Sequence, residues 1–351
     1  MATNNAQMST RRSAADRNYS SRPIVATVII IGGSIALLLS LALSISIGAT
    51  SIKWNDIVRA IFHFNDQITD HHIIRELRIP RAIAGMMVGL CFAVSGAIMQ
   101  GLTRNPLADS GLLGINAGAN FMIAVCFAFF PGMPFMKLII FAFLGAAIGA
   151  GLVFGIGSLN RRGLTPLRLV LAGAAVSALL VAISEGIALH FHVGQDIAFW
   201  YAGGVASTKW LQIKVIFPWV LGAFLLAIVL SRSISLLSLG EEIAAGLGQR
   251  TFVVKVASML AVLVLAGSAV SIVGAVGFVG LIIPHVTRYL VGVDYRWIIP
   301  CSAILGGLLV IWADVIARTI NPPYETPIGA LIALIGVPFF LFLARKERRE
   351  L

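Results

Sequence analysis

The chain has 351 residues, of which 58% are hydrophobic and only 12% charged, with a formal net charge of +11. A mean hydropathy of +0.94 and repeated apolar runs near the roughly 18–20 residues needed to cross a bilayer exclude a soluble globular protein. In a soluble chain this basic excess would suggest nucleic acid, but here Lys and Arg sit at the ends of apolar runs, where topology selection places them, so nucleic-acid binding is excluded as well.

Residues 1–22 read as a polar, disordered tail containing four arginines. The apolar run that follows, 24–47, is too long for a signal-peptide core and has no clear small-residue cleavage site, so it reads as the first span. Nine further spans follow at about 81–101, 112–130, 136–158, 167–189, 211–230, 252–272, 275–290, 297–317 and 327–344. The division between the seventh and eighth is the least marked: no Asp, Glu, Lys or Arg lies between Lys255 and Arg288, and GSAVSIVGAVG (267–277) reads equally as a tight turn or a kink. Ten spans place the N-terminal arginines and the C-terminal RKERR on one side, whereas nine would separate them.

With ten spans, the cytoplasmic segments carry seventeen of the 26 Lys and Arg residues and both termini are cytoplasmic. Five of the nine outer basic residues fall in one segment: Lys53, Arg59, Arg75, Arg78 and Arg81. That breach of the positive-inside pattern points either to lipid phosphates reached by snorkelling or to an acidic external partner. Trp54, Trp200, Trp210 and Trp297 fall near span ends, where indoles anchor at the interface.

Two carboxylates lie within the spans, Glu185 and Asp314. A charge near the bilayer centre costs about 2.5–3.5 kcal/mol on insertion scales, so each raises a proton-relay reading beside a structural one. Glu185 is near a span end and suits a structural hydrogen bond, while Asp314 precedes Arg318 by one helical turn and suits a local ion pair. His71-His72 and His190/His192 lack the further Cys or carboxylate needed for a metal-ligand set. Cys91, Cys126 and Cys301 sit in apolar runs without CxxC spacing and read as packing residues. There is no Walker A, GxSxG or HExxH pattern, so no catalytic residue is assigned.

Glycines at small-residue spacing, such as Gly85/Gly89, Gly145/Gly149 and Gly151/Gly155, predict closely packed helices. The interrupted segments TRNPLADSGLLG (103–114) and GFVGLIIPH (277–285) expose backbone groups that membrane helices tolerate only inside protein or along a cavity, which makes them candidate pathway walls. Between the sixth and seventh spans, LGEEIAAGLGQR (239–250) reads as a short helix bounded by glycines. Its acids disfavour an anionic lipid surface and favour docking to a soluble cytoplasmic protein.

Four stretches together resemble the permease family of iron-siderophore, haem and cobalamin ABC importers: RIPRAIAGMMVGLCFAVSGAIMQGLTRNPLADSGLLGINAGA (78–119), LGEEIAAGLG (239–248), GFVGLIIPHVTRYLVG (277–292) and ADVIARTINPPYETPIGALIALIGVPFFLFLA (313–344). The resemblance implies an all-α, ten-helix type II importer permease over 23–345, a coupling loop at 231–251 and a short cytoplasmic tail at 346–351. It implies a bacterial cytoplasmic membrane, a second permease subunit (identical or homologous), membrane lipid, two ABC ATPase subunits carrying ATP and Mg, and an extracytoplasmic substrate-binding protein.

On the same resemblance, Leu239, Gly240, Glu241, Glu242, Ala244, Ala245, Gly246, Leu247 and Gly248 form the ATPase-coupling helix. The two glutamates would make polar rim contacts and the small residues close packing. Arg78, Arg81 and Arg318 would meet glutamates of the binding protein, which moves the outer arginines from lipid toward protein docking. Leu164, Thr165 and Pro166 match the cytoplasmic gate region. Family members also relate spans two to five to spans seven to ten by inversion, echoed here by Ala84, Met86, Ala93 and Ser95 against Ala257, Met259, Ala266 and Ser268. The expected cargo is a ferric siderophore, with haem or cobalamin as alternatives within the family and ion-coupled secondary transport as the rival mechanism.

Overall fold

The computed structural model describes residues 21–48, 52, 54–158, 166–202, 204–321 and 324–347, and helix is the only regular secondary structure among them. In chain order these are α1 (Pro23–Ser46), α2 (Trp54–Phe62), α3 (Thr69–Thr103), α4 (Ile115–Phe129), α5 (Phe135–Ser158), α6 (Pro166–His190), α7 (Gly194–Ala202), α8 (Trp210–Leu239), α9 (Glu241–Gly246), α10 (Thr251–Val273), α11 (Val279–Val291), α12 (Tyr295–Thr319) and α13 (Ile328–Glu347). Seven of them are long and apolar enough to span a membrane, and α4, α11 and α13 are shorter apolar helices. These ten coincide with the ten apolar runs of the sequence.

Two elements run further than their apolar runs. Helix α8 continues for 30 residues, about 45 Å at 1.5 Å per residue, so the interval between spans six and seven is mostly helix and its non-helical part shrinks to the flanks of α9. Helix α13 carries on to Glu347, past the boundary expected at residue 345. The 1–22 tail and the 346–351 tail otherwise fall largely outside the described residues.

Helix α3 is the centre of the bundle. Apart from its first turns it is buried almost throughout, and α8, α10, α11 and α12 all pack against it. Glycine permits this. A Cβ on Gly89 would lie 2.1 Å from the Gly306 carbonyl oxygen of α12, and one on Gly96 would lie 1.9 Å from the Gly280 carbonyl oxygen of α11. Where lipid tails are as apolar as Leu, such backbone contact supplies van der Waals packing that larger side chains would prevent. Helices α4 and α5 repeat the arrangement through Gly118 and Gly145. The spacing of small residues therefore locates real contacts at Gly89, Gly145 and Gly149, whereas a Cβ on Gly151 or Gly155 would meet nothing within 4 Å.

The interval between the seventh and eighth spans is a true break. Helix α10 ends at Gly274, at φ 74°, and α11 begins after Phe278, at φ 68°. The left-handed Phe278 is held by a slot on α13: a Cβ on Gly336 would come within 2.4 Å of the Phe278 ring. At the start of α3, residues Ile73–Arg78 form π-helical turns just before Pro80, where the proline ring cannot accept an ordinary α-helical neighbour.

Gly89→Ala is expected to force α3 and α12 apart and to destabilise the solubilised protein by about 1–3 kcal/mol, the range for overpacking a close contact. Gly32→Ala, where a Cβ meets nothing within 4 Å, is the matched control. Thermal unfolding followed by size-exclusion chromatography in detergent reads both; equal midpoints would refute the contact.

Candidate functional site

Two ends of the bundle carry the polar chemistry. They are opposite ends, because α8 starts where the Trp210 indole donates to the Arg75 carbonyl at 2.7 Å and finishes at α9.

At the first end, Asp314 of α12 is 2% exposed and lies between two guanidinium groups. Arg81 of α3 donates to both of its carboxylate oxygens, through Nε at 3.0 and 3.1 Å and Nη2 at 2.8 Å. Arg318, one turn further along α12, donates to Oδ2 at 2.8 Å. The helical ion pair expected from the Asp314–Arg318 spacing is thus present, extended by a cross-helix partner the spacing could not reveal. Arg81 also pairs with Glu325, at 2.5 Å, and Glu325 is the more exposed member of that pair.

The remaining donors of this cluster close the end of α1. Arg78 donates to the Ile45 and Ser46 carbonyls, both at 2.9 Å. Arg318 donates to the Ile47 carbonyl at 3.0 Å and the Ser44 hydroxyl at 2.7 Å. The last carbonyls of a helix have no partner within it and carry the negative end of its dipole, so two cations here satisfy bonds and charge together. Gly48 makes room, since a Cβ there would sit 2.8 Å from the Arg78 guanidinium. The structure thus gathers the three arginines read from sequence as docking residues into one cluster. They are not a solvent-rimmed row: Arg78 is 7% and Arg318 8% exposed, and Glu325 is the group that reaches the surface.

At the other end, α9 stands between two glycines, Gly240 at φ 136° and Gly248 at φ 82°, backbone settings that side chains rarely adopt. The helix is tied to its neighbours: Glu241 accepts from Lys255 Nζ at 2.6 Å and Thr251 Oγ1 at 3.4 Å, and Gln249 Nε2 donates to the Ser233 carbonyl at 3.0 Å. Of the expected coupling residues, Leu239, Glu241, Glu242, Ala245, Gly246, Leu247 and Gly248 are exposed. Ala244 is fully buried and Gly240 is buried within this chain, so neither is a surface contact. Ile243, absent from that set, is 53% exposed, so α9 together with Leu239 at the end of α8 and Leu247 just after α9 presents three exposed apolar side chains. The signal that could have found it is its being the one large apolar residue inside the otherwise charged and small-residue segment EEIAAG.

Sequence reasoning also missed the link between the interrupted segments. Pro284 has no N–H to offer the Gly280 carbonyl four residues earlier, and the Gln100 side-chain amide of α3 donates there at 3.3 Å, as it does to Leu281. Asp109, in the turn after α3, is packed so that a Cβ on Gly280 would lie 2.3 Å from its Oδ1. Burial raises the Asp109 carboxyl above the usual carboxylate range, opposed by hydrogen bonds from Ser110 and Gly111. The segments expected to wall a pathway therefore brace one another.

Leu164 and Thr165 of the expected gate lie outside the described residues, and Pro166 is the first residue of α6. Glu185 is exposed on α6. His71 Nδ1 accepts from the Asn65 amide at 3.0 Å and His72 pairs with Asp66 at 3.1 Å. Trp200 packs against Phe135 in a tilted pair, with ring centroids 4.8 Å apart.

Comparison with known proteins adds to this geometry. The FecCD transport family matches residues 36–346. The chain is 51% identical over 341 residues to the iron(3+)-hydroxamate import system permease protein of Bacillus subtilis (strain 168), covering 97% of this chain and 89% of that one. It is 40% identical over 314 residues to the ferric enterobactin transport system permease protein of Escherichia coli (strain K12), covering 89% and 93%. It is 34% identical to the hemin transport system permease protein of Yersinia pestis, covering 92% and 97%. A solved inward-facing metal-chelate type ABC transporter superposes with a TM-score of 0.79 at 29% identity, over 91% of this chain and 99% of that one.

Asp314→Asn is expected to leave Arg81 and Arg318 facing each other without a carboxylate between them. Breaking a buried pair costs about 3–5 kcal/mol, so the midpoint of thermal unfolding in detergent should fall sharply. Glu185→Gln, at an exposed position, is the control; an unshifted Asp314→Asn protein would overturn the structural role.

Proposed function

Because the chain belongs to the FecCD transport family, we propose that it is the permease subunit of an ATP-driven importer of ferric siderophores, with ferric hydroxamates as the first chelate class. The observation that carries this reading is the 51% identity, along nearly the whole chain, to a permease named for iron(3+)-hydroxamate import. Hemin import is the second reading, supported by the 34% identical relative named for it.

In this reading the chain moves cargo and holds no catalytic residue; ATP and Mg are bound by two partner ATPase subunits on the cytoplasmic side, where both termini lie. The exposed apolar side chains of Leu239, Ile243 and Leu247 enter a groove on the ATPase, with Glu242 at its rim. Motion of α9 passes into α8 and α10 through Gln249–Ser233 and Glu241–Lys255, and from there to α3, against which both pack. A second permease subunit completes the path, and Leu164, Thr165 and Pro166 close its cytoplasmic mouth.

The opposite rim receives an extracytoplasmic binding protein. Arg78 and Arg318 are committed to the end of α1, which leaves Arg81 as the arginine able to exchange a partner: a glutamate of the binding protein replaces Glu325 on its outer face. An ion-coupled secondary mechanism would rest on an intramembrane carboxylate, and Asp314 is engaged by two guanidinium groups while Glu185 is exposed on α6.

Uptake of radioiron hydroxamate by iron-starved cells is expected to be lost on deletion and restored by the wild-type gene, with hemin and cobalamin uptake unchanged. Loss of hemin uptake alone would transfer the reading to hemin. Ile243→Asp is expected to keep normal membrane levels while weakening ATPase co-purification by about thirtyfold, the effect of about 2 kcal/mol at an interface hot spot. Undiminished co-purification would refute the docking role of Ile243.

A further inference from the structure

Beside α9, the ends of α3, α8, α11 and α12 enclose a cleft of about 930 Å³. Its walls carry four arginines, Arg104, Arg232, Arg288 and Arg296, against one carboxylate, Asp294. That carboxylate is already used: the Arg296 side chain donates to it through three bonds of 2.6–3.1 Å and the Arg296 backbone N–H at 3.0 Å, and it also accepts from the Ser235 hydroxyl at 3.3 Å. Arg288 is positioned by neutral groups only, donating to Gln100 Oε1 at 3.2 Å and the Tyr295 hydroxyl at 2.9 Å. Arg104 and Arg232 are exposed and make no hydrogen bond or ion pair among the described residues.

Three guanidinium groups therefore share one concave space without a counter-charge. A cleft lined by one sign of charge concentrates the opposite ion, and guanidinium forks match phosphate oxygens bidentately. The volume is far more than a bare oxyanion fills and falls in the range of small-molecule sites. The cleft also lies where α3 and α11 end and α12 begins, the depth at which lipid headgroups meet basic pockets between membrane helices. We propose that this cleft binds a phosphate-bearing anion, drawn either from a lipid headgroup or from solution. A direct binding readout keeps this proposal distinguishable from the transport assignment.

The test uses the full chain purified in a neutral detergent, with its unfolding midpoint titrated against dihexanoyl-phosphatidylglycerol, inorganic pyrophosphate and, as a zwitterionic control, dihexanoyl-phosphatidylcholine. At least one of the two anionic probes should raise the midpoint, less so as salt is added. The Arg104→Gln/Arg232→Gln protein should bind that probe about tenfold more weakly, and Arg232→Lys should retain most of the response. Stabilisation by the lipid but not by pyrophosphate identifies a headgroup site; equal stabilisation by both identifies a site for soluble phosphates. The proposal is overturned if neither anion acts, if the zwitterion acts as strongly, or if the double variant responds like wild type. Should the double variant fail to fold, Arg232→Gln alone carries the same comparison.

Discussion

The architecture depends on how closely α3 can be approached. Its backbone touches α12 at Gly89 and α11 at Gly96, and the side chains that carry polar chemistry leave from the same helix: Arg78 and Arg81 near one end, Gln100 and then Arg104 at the other. A methyl group at either glycine would displace a helix that also positions Asp314 or Gly280. Packing and polar bonding are consequently one constraint, imposed along a single buried helix.

The arginine cluster shows how this constraint is met electrostatically. Asp314 alone would be a buried charge of high cost, and the end of α1 alone would expose carbonyls with no partner. Arg318 addresses both, bonding Asp314 and the Ile47 carbonyl together. The result joins α1, α3 and α12 at one end, with Arg81 and Glu325 forming the outermost pair. At the far end α9 is fastened to α8 and α10 by side-chain bonds, while Ile243 stays exposed.

Much of this was legible in the sequence, because hydropathy reports spans directly and glycine marks breaks. All ten membrane helices appear where the apolar runs place them, including the divided seventh and eighth. Charge spacing revealed the Asp314–Arg318 pair, since both residues share a helix. Arg81 and Glu325 belong to other segments, and no local pattern reports a contact across more than 200 residues. The exposed apolar residues around α9 were partly visible: Leu239 and Leu247 were named, but Ile243 was passed over for Ala244, which is buried. The end of α8 was missed because polar serines and Arg232 ended the apolar run while the helix itself continued into the aqueous side.

The bond from Gln100 to Gly280 bears on how the chain is assembled. A helix normally enters a bilayer with its backbone hydrogen bonds satisfied within itself, but Pro284 denies α11 that self-sufficiency at Gly280. The missing donor belongs to α3, which is synthesised about 180 residues earlier and precedes α11 in insertion from the N-terminus. The first helix of the pair thus holds an amide in reserve for the second. At this bond a backbone group of α11 is satisfied by a tertiary neighbour rather than by its own helix.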